Sequence, residues 1–339
     1  MKSKVVRMFS IIIFLCLCLS GVILHCLFAF DIKNEDFHLA IIDEVIPKLS
    51  IKKDKIYIDD LTEFNVYDNI NYSFGKLGGT IKCDTETLHN GRNDICCIAR
   101  GNNGIETSKI YTVYKSPTYN KSIIFFGDSI TAGYGSFNNK SWADIIGSEY
   151  DFSYYTNAGI NDFRVSKYQR PNKWLGNEVL THYDDTVNYD FIIMQGGIND
   201  ALISTPLGEI TTNYDSDVDL NTFYGGLEGY IRNVINKWPN AKIGYIITYY
   251  IPNYDDYIYS YEHFKTYYEA LKEVLVKYNI PYLDLFAGKK GLENYSEILS
   301  VYSTKYLEDN LHLNYEGYKQ IAPYIYGWIQ NLNKYETTF

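Results

Sequence analysis

The rhythm of apolar and polar positions changes three times along this chain. Met8 to Phe30 contains no Asp, Glu, Lys or Arg and follows the basic residues Lys2, Lys4 and Arg7. As a helix this run would span roughly 34 Å, enough for a hydrocarbon core. A cleaved signal has a shorter apolar run and a small-x-small site. Phe28-Ala29-Phe30 offers no such site, and His25 before Cys26 does not suit a lipoprotein signal. Residues 1–30 therefore predict an uncleaved membrane anchor. The expected location is the cell membrane, single-pass, with the catalytic part outside because the basic flank stays inside. Cleavage would instead make the protein a secreted one.

Residues 31–117 alternate over short runs: Lys55-Ile56-Tyr57-Ile58, Thr80-Ile81-Lys82-Cys83, Ile110-Tyr111-Thr112-Val113-Tyr114. Gly78-Gly79, Asn90-Gly91 and Gly101-Asn102-Asn103-Gly104 separate them. Period two with such turns predicts a small antiparallel β-sandwich. The stretch Leu88 to Tyr114 resembles the last strands of bacterial immunoglobulin-like domains, which implies a spacer or a glycan-binding module. Ser116-Pro117-Thr118 reads as the linker.

Residues 118–339 form the third region, where the rhythm becomes β/α. Apolar strands at Ile123–Phe126, Phe191–Met194, Ile243–Thr248 and Tyr282–Phe286 alternate with amphipathic helices. Phe223, Leu227, Tyr230, Ile231, Val234, Ile235 and Trp238 repeat at three- and four-residue spacing, as do Tyr267, Ala270, Leu271, Val274, Leu275 and Tyr278. This alternation predicts a three-layer α/β domain with a parallel sheet covered on both faces. Sites in such sheets form beyond the carboxyl ends of the strands.

Composition narrows the class. The 339 residues suffice for two domains, and 46% apolar with 21% charged residues reads as globular. Net charge is −10 overall; the chain beyond residue 30 has 28 basic against 41 acidic side chains, a net of −13. This counts against nucleic acid as a partner. The 35 tyrosines can stack on sugars but are read first as filling for strands and surfaces. Cys16, Cys18 and Cys26 lie in the apolar run, Cys83, Cys96 and Cys97 beyond it, with no CxxC or His-rich metal spacing. A Cys83–Cys97 bridge and buried free thiols both fit the alternation.

Four blocks carry the chemistry, each placed at a turn. They are Phe126-Gly127-Asp128-Ser129-Ile130-Thr131, Asn157-Ala158-Gly159, Gly196-Gly197-Ile198-Asn199-Asp200 and Asp309-Asn310-Leu311-His312. A serine needs a base to take its proton, and imidazole suits that task near neutrality. Among the six histidines, His182 and His263 are the other two in this region, and neither has an acid three residues before it. Asp309 or Glu308 could orient His312. Asp128 and Asp200 read as structural hydrogen-bonders at their turns. A Gly-x-Ser-x-Gly elbow is absent from the sequence.

The ordered set resembles the SGNH hydrolases, or GDSL-type esterases, over roughly Ser122 to Asn333. Ile130 stands where the family's short name has leucine, and Leu313 where proline is common. The resemblance implies Ser129 as nucleophile, His312 as base, and Asp309 rather than Glu308 as its orienting acid. It also implies an oxyanion hole made of the Ser129 and Gly159 N–H groups and the Asn199 amide, with no metal and no organic cofactor. The expected function is hydrolysis of short acyl esters, O-acetyl on carbohydrate above all, through an acyl-serine intermediate. An O-acyltransferase on a surface glycan would use the same residues, and a non-catalytic glycan-binding protein is the more distant alternative.

Overall fold

Along Gly91–Gly101 every second residue from Asn93 onward is buried, the signature of a strand with one face on a core. The computed structural model describes residues 46–59, 63–84, 88–181, 187–249, 260–286, 303–309 and 311–335. The chain divides into two compact units, up to Ser116 and from Pro117.

The first unit has strands β1 (Lys48–Ile51), β2 (Lys55–Ile58), β3 (Ile70–Ser73), β4 (Gly79–Cys83), β5 (Gly91–Gly101) and β6 (Glu106–Lys115). β1 pairs with β3, and the order β2-β6-β5-β4 makes a second sheet. Leu49, Ile58, Ile70, Ile95, Ala99, Tyr111 and Val113 share one core. The expected antiparallel arrangement needs one correction, because β2 runs parallel to β6. No hairpin sets the direction of β2. It reaches β6 through the long excursion β3–β5, the kind of connection a parallel pair requires. Of the two states open to the cysteines, the bridge is the one formed. β4 and β5 set Cys83 opposite Cys97 in a disulfide, and Cys96 is a free thiol.

The second unit is built on a five-stranded sheet of order β8-β7-β9-β10-β11, parallel throughout. The strands are β7 (Ser122–Gly127), β8 (Tyr154–Gly159), β9 (Phe191–Gln195), β10 (Lys242–Ile247) and β11 (Tyr282–Asp284). Ile123 to Phe126 are completely buried, so both faces of the central strand are covered. The helices, in chain order, are α1 (Ser129–Ala132), α2 (Trp142–Glu149), α3 (Leu175–Thr181), α4 (Ile198–Leu202), α5 (Phe223–Lys237), α6 (Tyr261–Lys277), α7 (Ser303–Tyr306) and α8 (Tyr315–Ile329). α2 packs with α8, while α5 packs with both α3 and α6. The apolar stripes expected on α5 and α6 are the buried ones, through Trp238 and Tyr278. Thr222 and Ser260 cap these two helices by accepting the Gly225 and His263 N–H groups.

The single-pass membrane location is corrected here. Among the described residues no helix is long and apolar enough to cross a membrane. α6, with 17 residues, would measure only about 26 Å, and one of its faces is polar. The segment 1–30, on which the expectation of an anchor rested, lies outside the described residues.

The strand order has one reversal. From β7 the chain moves outward to β8, then crosses back to β9 on the other side of β7. Loops leaving β7 and β9 therefore diverge and open a crevice at their carboxyl ends. Two of the four sequence blocks, those of Ser129 and Asn199, lie there.

Candidate functional site

Ser129 owes its position to the turn that ends β7. Asp128 is the N-cap of α1, in extended conformation, and its carboxylate accepts the Ile130 N–H at 3.0 Å. That leaves Ser129 at the first helical position, where an N–H has no intrahelical acceptor. Gly133, at φ 84°, ends α1, and the Tyr134 N–H returns to the Ser129 carbonyl at 3.0 Å. Gly127 cannot be replaced without disturbance, since a Cβ there would lie 2.1 Å from Thr131 Oγ1 and 2.5 Å from Gln195 Oε1.

Gln195 is a residue the sequence reading missed. It ends β9 almost fully buried, and its amide is saturated. Oε1 accepts from the Asp128 N–H at 3.2 Å and from Thr131 Oγ1 at 2.8 Å. Nε2 donates to Asp128 Oδ2 at 3.0 Å and to Thr248 Oγ1 at 2.9 Å. One side chain thus ties the ends of β7, β9 and β10 behind the serine. A polar residue closing the apolar run Phe191–Met194 was the available signal. Burial pushes the Asp128 carboxyl up, against the pull of the Ile130 N–H and Gln195 amide.

His312 and Asp309 share a loop closed at its base by the Leu307–Leu313 bridge and by the Glu308 N–H to the His312 carbonyl, 3.0 Å. Asp309 Oδ1 accepts the Leu311 and His312 N–H groups at 2.8 and 2.5 Å. Its Oδ2 lies 2.8 Å from His312 Nδ1. Facing a carboxylate, Nδ1 carries the proton and Nε2 is left as acceptor. Nε2 is 2.8 Å from Ser129 Oγ. Burial raises the Asp309 carboxyl, but the bonds from the His312 backbone and ring and from the Leu311 N–H outweigh it and hold the group below the usual carboxylate range. Glu308 meets His312 only through its backbone. Of the rival histidines, His263 is occupied with the Ala201 carbonyl at 2.7 Å, and His182 lies outside the described residues.

Gly159 ends β8 against α1, where a Cβ would come 2.2 Å from the Ala132 nitrogen. Its N–H is turned to Asn157 Oδ1 at 3.0 Å. Asn157 Nδ2 in turn donates to the Thr131 carbonyl at 2.9 Å and to Asp144 Oδ2 at 2.8 Å. Asn157 is a second residue whose role the sequence did not reveal. Asn199 lies in the first turn of α4, which Gly197 opens at φ 102°. One N–H of its amide donates to the Phe163 carbonyl at 2.9 Å. That bond fixes the amide plane and leaves its second N–H. Asp200 is structural, as expected. It accepts the Val165 and Ser166 N–H groups at 2.9 and 3.1 Å and Ser166 Oγ at 2.5 Å. Burial pushes its carboxyl up to about 6 despite those bonds.

Tyr134 was also missed. Its ring centre is 4.6 Å from that of His312, tilted by 59°, and the side chain is 47% exposed. Among the described residues no cluster of three or more His, Cys, Asp or Glu has the arrangement of a metal site.

Residues 125–320 match the profile of the GDSL-like lipase/acylhydrolase family. One solved crystal structure is 27% identical with a TM-score of 0.52, covering 61% of this chain and 95% of its own. A protein from Lactobacillus plantarum is 22% identical with a TM-score of 0.51, over 63% of this chain and 98% of its own. A lipase/acylhydrolase from Enterococcus faecalis is 21% identical with a TM-score of 0.43, over 65% and 99%. No curated protein matches the chain.

Proposed function

The chain belongs to the GDSL-like lipase/acylhydrolase family and is a serine ester hydrolase of the SGNH type, and we propose that it removes short acyl groups, chiefly O-acetyl, from carbohydrate. The observation that carries the mechanism is the unbroken relay from Asp309 through His312 to Ser129, with both hydrogen bonds at 2.8 Å. Ser129 Oγ attacks the ester carbonyl as its proton passes to His312 Nε2. The carbonyl π pair moves onto oxygen. When the tetrahedral centre collapses, the bond to the alcohol oxygen breaks and that oxygen takes the proton from Nε2. Water then repeats the sequence on the acyl-serine, releasing the acid and restoring Ser129. Asp309 keeps the imidazole in the required tautomer and steadies its charged form.

The oxyanion is received by the Ser129 N–H, by the second N–H of Asn199 and by the Gly159 N–H, which it shares with Asn157 Oδ1. Donors of this kind are worth about 2.7–4 kcal/mol each when fully available. Gly159 is on this reading the weakest of the three. Ser129 itself is nearly buried, at 7% exposure, and the preference for short acyl groups is part of the proposal that the ester panel tests. The first unit acts as a spacer of immunoglobulin-like type, a reading supported by the strand and turn pattern of β4–β6.

The test is a panel of acetylated pyranosides and of simple esters with lengthening acyl chains, using the full chain and Ser129→Ala. Acetyl esters should be preferred, the free acid should be the product even with excess sugar acceptor present, and the variant should be inactive. Preference for long acyl chains would refute the substrate assignment. Transfer to the sugar would make the protein an acyltransferase.

A further inference from the structure

The mechanism fixes where the alcohol part of the substrate must lie. Its oxygen takes the proton from His312 Nε2, so the group carrying that oxygen leaves past the imidazole. Ser129 is nearly buried, whereas Tyr134, whose ring lies 4.6 Å from the imidazole ring, is 47% exposed. A tyrosine half in water at this point is held by its backbone. Its N–H is bonded to the Ser129 carbonyl at 3.0 Å, and its carbonyl accepts from Tyr318 Oη at 3.1 Å. The flanking glycines Gly133 and Gly135 sit at φ 84° and 86°, a region that side-chain-bearing residues avoid. A Cβ on Gly135 would touch His312 Cβ at 3.0 Å. The backbone is therefore fixed on both sides of Tyr134, and its ring lies beside the base.

We propose that Tyr134 is the specificity-determining platform of the leaving-group site, stacking on the C–H face of a pyranose whose hydroxyl carries the acyl group. The inference rests on the acyl-serine reading above and adds the class of alcohol. An aromatic ring beside the leaving oxygen prefers a ring alcohol with an apolar face over a flexible chain. On this placement its effect falls on the choice of alcohol.

The experiment compares kcat/KM for an acetylated methyl pyranoside with that for ethyl acetate, in the full chain and in Tyr134→Ala, Tyr134→Phe and Tyr134→Trp. The pyranoside-to-ethyl ratio should fall about threefold to tenfold in Tyr134→Ala, in keeping with the loss of one aromatic contact. It should return in Tyr134→Phe and Tyr134→Trp, with the change mainly in KM. An equal fall for both esters, or a kcat loss with an unchanged ratio, would show that Tyr134 only packs His312, and the platform would be refuted while the esterase reading stood. A wild-type protein that cleaves ethyl acetate but no acetylated sugar would overturn both the platform and the carbohydrate assignment.

Discussion

Replacing Gln195 by methionine tests whether the ends of the three strands are locked as described. The new side chain has nearly the same volume, so packing changes little. The losses are polar. The Asp128 N–H and Thr131 Oγ1 lose their acceptor, and Asp128 Oδ2 and Thr248 Oγ1 lose their donor. The two threonine hydroxyls can turn to other partners. The Asp128 N–H and carboxylate oxygen cannot, because the N-cap bond to Ile130 holds that residue. A buried group left unsatisfied costs roughly 1–3 kcal/mol, so two such groups predict a loss of about 2–6 kcal/mol. That is a large share of the roughly 5–15 kcal/mol typical of a folded protein. Gln195→Glu adds a sign. The introduced carboxyl would lie buried beside Asp128, and both burial and the like charge raise its folded pKa above the unfolded value. Its stability is therefore present at low pH and lost as pH rises through the folded pKa. Urea unfolding followed by tryptophan fluorescence at pH 5 and pH 8 measures both effects. The reasoning fails if Gln195→Met unfolds within 1 kcal/mol of wild type, or if Gln195→Glu is the less stable at pH 5.

Asn199→Ala should lower kcat by roughly 10²–10³ with KM little changed, because the amide matters once the oxyanion forms; steady-state kinetics on a small acetate ester decides it. Asp309→Asn should cost at least two orders of magnitude in kcat while folding is kept, by favouring the wrong tautomer, and Glu308→Gln should cost far less. The Asp309 carboxyl lies below its ordinary range, so its stabilising effect holds at neutral pH and fades only as pH falls through that lowered value. Asp200 behaves oppositely: with its carboxyl raised to about 6, it contributes stability at pH 4 that is lost as pH rises through 6, about 3 kcal/mol in all. Unfolding from pH 4 to 7.5 should show this component in wild type, and Asp200→Asn should lack it.

What the sequence disclosed divides along physical lines. Periodicity places whole faces, so the buried stripes of α5 and α6 and the alternation of β5 were legible residue by residue. The grouping of Ser129, His312 and Asp309 could be proposed from the sequence because each sits in a short run with its turn residues beside it, and the structure brings the three into contact. Asp309 and His312 are three positions apart, and their contact is settled locally. Gln195, Asn157 and Tyr134 were not legible. Each acts through a partner distant in sequence (Asp128, Thr131 and His312); a polar residue closing the run Phe191–Met194 marked Gln195 as unusual, but no local pattern gave the partner of any of the three. The parallel pairing of β2 with β6 was hidden for the same reason. The single-pass location read from the apolar run at 1–30 and its basic flank is the reading that finds no support, since no described helix is long and apolar enough to cross a membrane, and the run itself lies outside the described residues.

The loop from Leu307 to Leu313 carries the proposed base and its acid, and among its described residues most hydrogen bonds end within the loop. Asp309 spends one oxygen on the loop's own backbone and the other on the imidazole. Base and acid therefore travel together. A displacement of this loop alters a single catalytic distance, that from His312 Nε2 to Ser129 Oγ, and leaves the proton on Nδ1 where it was. The site thus has one adjustable joint. Substitutions that shift the loop as a unit should scale the rate gradually, whereas those that break its internal bonds should abolish it, and grafting the loop onto a related scaffold should carry an already oriented imidazole with it.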